Sequence, residues 1–240
     1  IEGVHFHDSP RWTLWFIECD DVMIRGIRIT GDPKMINNDG IHFFGGKRIA
    51  ISDCFVSTGD DALVVRSGHA WHNMSHRVIL SDLVVSNCVF ESSCQAIRIG
   101  CPGDDLIENC CFSNLILKGH NGILMVNPLH YWEYELATPF RQAPHLVRNL
   151  QFDGITIDVS STPLEISVDN GVAIDTIDDI RFRNIRLKGG SPLVFRGWEK
   201  VPLGTIRLND VSGTIRNPIP IQTEFVNHLI MNNVDIQAVF

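Results

Sequence analysis

The sequence predicts an all-β fold, a single-stranded parallel β-helix of about eight coils, on three observations. A phrase of alternating apolar residues around a polar or glycine anchor recurs along the chain. Its interval is irregular, 23 to 40 residues, as in a solenoid whose loops vary and whose strands do not. No dense leucine pattern or helix-sized segment accompanies it, and period-2 alternation means strands.

In order, the copies are Val22–Ile29 around Gly26, Ile49–Val56 around Asp53, Leu83–Phe90 around Asn87 and Cys110–Leu117 around Asn114. Leu150–Ile157 follows around Gly154 and Ile180–Leu187 around Asn184, with weaker copies at Asp210 and Asn233. Asn, Asp and Gly suit a corner because they tolerate the left-handed conformation that bends one strand into the next. Coils stacked ~4.8 Å apart would place inward Ile, Val, Leu, Phe and Cys on like residues. The longest intervals absorb two loops rich in His, aromatic or Pro residues, Ser67–Arg77 and Pro128–His145. Their rings, among them His69, Trp71 and Trp132, are candidates to stack on sugars.

The 240 residues read as one β-helix domain over 1–240, expected to be a piece of a longer chain, because Ile1-Glu2-Gly3-Val4 is already strand-like. A net charge of −8 without a Lys/Arg block argues against a nucleic acid held through its phosphates. No apolar run approaches the ~18 residues of a membrane span, and nothing at the start reads as a signal peptide. Seven cysteines without a CxxC pair are expected to act mainly as small core hydrophobes. His5 with His7, and His69 with His72, have ligand-like spacing but lack a completing Cys or acid, so no metal and no cofactor are expected.

Chemistry concentrates in two turns, Asn38-Asp39-Gly40 and Gly59-Asp60-Asp61. Each leads into a short strand, and two further strands begin at Gln95 and Asn121. Stacked in register, these strands put Asp39, Asp61, Gln95 and Asn121 in one column, with Asp60 beside it. His42, Val64, Arg98 and Leu124 form an outward column three residues later. Neighbouring carboxylates suit glycoside hydrolysis, in which one protonates the leaving oxygen while another activates water.

Asn38-Asp39-Gly40-Ile41, Ser57-Thr58-Gly59-Asp60-Asp61-Ala62, Ser9-Pro10-Arg11-Trp12-Thr13-Leu14 and the Asn-Cys anchors resemble glycoside hydrolase family 28, the polygalacturonase family. The resemblance runs from about residue 9 to about 190. It implies a right-handed, pectin-lyase-like β-helix, an extracellular or periplasmic location, a polysaccharide substrate, and hydrolysis with inversion and no metal. Asp60 would be the general acid, and Asp39 with Asp61 would hold and deprotonate the water. Arg66 stands where the family often has Lys. His42, Arg66, His69, Gln95, Arg98 and Asn121 are the expected substrate-binding residues.

The departures are as informative. The family's Gly-His-Gly is Cys94-Gln95-Ala96 here, and its Arg-Ile-Lys, which grips the galacturonate carboxylate, is Leu124-Met125-Val126. Arg98, one coil earlier, is the basic group nearby. The expectation is a glycosidase acting on something other than plain polygalacturonate. The rival readings are a non-catalytic carbohydrate-binding solenoid and a Ca²⁺-dependent polysaccharide lyase.

Overall fold

The computed structural model describes residues 1–67, 76–100, 105–125, 144–168 and 174–239. These wind as a right-handed parallel β-helix. Every strand-to-strand pairing is parallel, and no helix occurs among the described residues. Third strands of successive coils are Leu14–Ile17, Ile41–Phe44, Leu63–Arg66, the ends of Val89–Ile99 and Leu106–Met125, then Leu164–Ser167, Leu193–Arg196 and Ile221–Glu224. Eight such strands match the eight coils expected.

All eight anchors fall in one register column, since their flanking residues pair coil to coil. Asp53, Asn87, Asn114, Asn184, Asp210 and Asn233 have φ between 51° and 58°, and Gly26 and Gly154 share that left-handed conformation. Side chains link the corners: Asn114 Nδ2 donates to Asn87 Oδ1 at 2.8 Å, and Asn233 Nδ2 to Asp210 Oδ1 at 2.7 Å. A second left-handed column, not read from the sequence, comprises Asp21, Arg48, Asp82, Asn109, Asn149 and Asp179. Each member sits five positions before its partner anchor.

Inside, like residues lie on like. Phe112, Phe152 and Phe182 stack at 4.7 and 4.9 Å between ring centres, close to the strand spacing. Cys54, Cys88 and Cys110 are buried free thiols among the apolar residues, as expected. Of the two long loops, residues 68–75 and 126–143 lie outside the described residues, and with them His69, Trp71 and Trp132.

Replacing Asn114 tests the corner. Ala there must adopt a left-handed φ and loses the bond to Asn87, so Asn114→Ala is expected to cost about 1–3 kcal/mol in denaturant unfolding. Asn114→Gly, free of the steric term, is expected to cost visibly less.

Candidate active site

The third strands build the site. Ile41, Leu63, Ile97 and Ile123 are register partners, and two positions earlier stand Asp39, Asp61, Gln95 and Asn121, the predicted column. The outward column is also as predicted: His42, Val64, Arg98 and Leu124 pair coil to coil. It begins one coil earlier at Trp15 and continues to Glu165. Gly40 lets the two acidic turns approach, because a Cβ there would collide with the Ala62 carbonyl and the Val56 side chain.

Asp60 is the most open of the three acids and the most firmly held. Its Oδ2 accepts the Asn37 N–H at 2.8 Å and its Oδ1 accepts the Asp61 N–H at 2.9 Å. Asn38, buried between the coils, accepts the N–H groups of both Gly59 and Asp60 on its Oδ1, at 2.9 Å each, and donates to the Asp32 carbonyl. Hydroxyls of Thr58 and Ser92 both donate to the Asp60 carbonyl oxygen, at 2.6 and 2.7 Å. One acidic turn is thus clamped by the coils before and after it.

Asp39 and Asp61 are buried. Burial, reinforced by the charges of Asp61 and Asp60, pushes the Asp39 pKa up to about 8. Burial also raises Asp61, but Arg98, with Nη1 3.7 Å from Oδ2, opposes it and the value settles at about 6. Asp61 Oδ1 further accepts the Gln95 N–H at 3.2 Å. His42 Nδ1 lies 3.1 Å from Asp39 Oδ2. Burial and the nearby Arg66 and Arg98 charges hold this imidazole well below its usual pKa. Near neutral pH the contact therefore joins two uncharged partners and is not an ion pair.

The expected binding residues divide by position. Arg98 is half-buried at the cluster. Gln95 is also there, its Oε1 accepting the Cys94 thiol at 2.7 Å. Arg66 is buried with its guanidinium 5.0 Å over the Phe44 ring, so it braces the wall instead of opening onto the groove. His42, likewise buried, is a support for Asp39. Asn121 is in the column, but its Oδ1 accepts the Thr162 N–H of the next coil. His69 lies outside the described residues. The ligand-like pair His5 and His7 is engaged elsewhere, by Thr30 and Asp8.

Several neighbours were not among the expected site residues. Cys94 brings its sulfur within 4.8 Å of carboxylate oxygens of Asp60 and Asp61, and burial and those charges push its pKa up. Trp12 lies 4.8 Å from the His42 ring and 4.7 Å from Trp15, which also meets Phe44 edge-on. Trp15 is 42% exposed and lies one coil before Asp39.

Coils, corner ladders and clustered aspartates define a parallel β-helix protein with an acidic site on its third strands. The family model of glycosyl hydrolases family 28 matches residues 1–194. The chain is 25% identical over 228 residues to a probable polygalacturonase of Arabidopsis thaliana, an alignment covering 88% of this chain and 45% of that one. Over 83 residues it is 44% identical to a polygalacturonase of Juniperus ashei, covering 35% and 15%. Among solved structures, a polygalacturonase from Erwinia carotovora ssp. carotovora superposes with a TM-score of 0.72 at 17% identity, covering 95% of this chain and 56% of the other. The chain belongs to glycosyl hydrolases family 28. It spans about half the length, or less, of these curated relatives.

The raised Asp39 pKa has a thermodynamic consequence. Below pH 3.8 the folded and unfolded states are both protonated; between 3.8 and about 8 only the unfolded state releases its proton, so this group's contribution to stability falls as pH rises. Asp39→Asn removes that dependence. Melting curves are expected to show no advantage for the variant near pH 3 and a gain growing to at least about 1 kcal/mol by pH 7. Parallel pH profiles for the two proteins would refute the assignment.

Proposed function

We propose that this chain carries the reaction site of an inverting glycoside hydrolase acting on a polysaccharide other than plain polygalacturonate. The observation that carries the proposal is the meeting of Asp39, Asp60 and Asp61 at one place on the third-strand face. Between about pH 6 and pH 8 the site holds Asp61 ionised beside Arg98 and Asp39 protonated. An ionised carboxylate can take the proton of the attacking water, one half of the acid/base cleavage of an acetal. Asp60, the exposed member, is the general acid in the reading that the family motif implies. Asp61, ionised, deprotonates the attacking water, and Asp39, protonated, helps to hold it.

The substrate proposal rests on what surrounds the acids. Leu124 stands where a basic residue would hold a uronate carboxylate, and it is buried. On the opposite side stands Trp15, a partly exposed aromatic residue of the kind that packs against the C–H groups of a pyranose. Relatives named polygalacturonase indicate the linkage chemistry, and these residues point to a different sugar at one or more subsites. An extracellular or periplasmic setting goes with this reading.

Gln95, in place of the family's His, is the feature that favours a binding solenoid without turnover. The cluster is ill suited to a Ca²⁺-dependent lyase, because Ca²⁺ takes oxygen ligands and Cys94 places a thiol against two of the carboxylates.

A panel of pectic and non-pectic oligosaccharides, with the product anomer followed by NMR, tests the proposal. Asp60→Asn is expected to lower kcat by roughly 10³-fold with the fold intact. The first product is expected to have the opposite anomeric configuration to the substrate. Hydrolysis of polygalacturonate by the wild type, abolished in Asp60→Asn, would overturn the substrate assignment. Saccharide binding without turnover, unchanged when all three aspartates are Asn, would overturn the enzymatic one.

A further inference from the structure

The outward column that starts at Trp15 runs past the acids to Arg98, Leu124 and Glu165 on three consecutive coils. Arg98 leans back to Asp61, and Leu124 is apolar and 4% exposed. Glu165 is half-buried, and its Oε1 accepts a hydrogen bond from the Ser167 hydroxyl at 2.8 Å. Among the described residues it has no ion pair. A carboxylate is costly to hold partly desolvated without a cation, so an unpaired one on the same face as the acids calls for a partner from solution or a ligand.

We infer that Glu165 is a specificity-determining residue, selecting an uncharged sugar on the coil beyond Leu124 and rejecting a uronate there. This rests on the reading of the third-strand face as a saccharide groove. Consecutive rungs are about 4.8 Å apart, so a glycan chain crossing the coils lays roughly one pyranose on each. The unit over Glu165 then meets a carboxylate whose second oxygen can accept hydroxyl protons. A galacturonate in the same place sets two negative charges together in a half-dry site, where repulsion is poorly screened. The loss of a cation at Leu124 weakens the hold on a uronate; Glu165 adds active exclusion.

The two probes that test this are tetragalacturonate and its fully methyl-esterified form, which lacks the charges and carries added methyl groups. The Glu165 variants and the salt dependence separate the effect of charge from that of the methyl groups. Equilibrium binding is measured by calorimetry for the wild type, Glu165→Gln and Glu165→Lys, with circular dichroism to establish folding. The wild type is expected to prefer the ester, by a margin that narrows as salt is raised. Glu165→Gln is expected to tighten the free acid roughly tenfold, as removal of a like-charge neighbour does, and to leave the ester nearly unchanged. Glu165→Lys is expected to reverse the preference. Should Glu165→Gln fail to fold, the Lys variant and the salt dependence of the wild type still report.

Three results overturn the inference: a wild type that binds the acid as tightly as the ester, variants that shift both ligands alike, and no binding of either ligand by any of the three proteins. Failure of the enzymatic reading looks different, since turnover would then be missing on every glycan while the charge discrimination persists.

Discussion

The constraint on which the rest depends is register. In a stacked parallel sheet a slip of one residue would turn every inward Phe, Ile and Val to solvent. It would also carry Asp39, Asp61 and Gln95 from adjoining positions to opposite faces. The corners prevent the slip. Asn87 on Asn114, Asp210 on Asn233 and Asn109 on Asn149 each join a left-handed residue to its equivalent on the next coil. The Phe112–Phe152–Phe182 stack is the apolar counterpart of the same alignment. The acids come together because their coils are locked by interactions on other faces of the solenoid.

Within that frame the three acids are made unequal by their surroundings. Asp39 and Asp61 share a column and a depth of burial, yet Arg98 lies at Asp61, while His42, whose imidazole is held neutral, lies at Asp39. Burial and the charges of its two neighbours raise Asp39 to about 8, and Arg98 holds Asp61 to about 6. Asp60 differs in kind: both its oxygens accept backbone N–H groups, and its turn is gripped by Asn38 on one side and Ser92 on the other. Exposure with fixed geometry suits a group that must reach a bound ligand.

Much of this was legible in the sequence, and the limits have physical reasons. The anchors were visible because Asn, Asp and Gly recur there, and all eight fall in register. The second corner column escaped notice because Arg48 stands in it beside Asp and Asn, so no residue type announces it. The acid column was readable from the alignment of four short strands on their small residues. The burial of Arg66 and His42 was not, since a strand pattern gives the face a side chain takes and not what closes over it. Cys94 was read as the first residue of the Cys94-Gln95-Ala96 motif and as a core thiol, not as a neighbour of the acids; it lies in the bulge between Ser92 and Gln95. Glu165 follows the Leu150–Ile157 copy on a strand for which no site residue was read, and the pairing of Leu124 with it places it in the outward column.

The five-residue step between the two corner columns, shared by six coils, gives this molecule a fixed gauge along one edge. Insertions that lengthen a coil are thereby confined to the remaining stretches, which adjoin the third strand and so border the cleft. A loop on that rim can be longer or shorter without altering which residues face the hydrophobic interior. Such a division lets new tastes for sugars evolve on an old scaffold without renegotiating its folding.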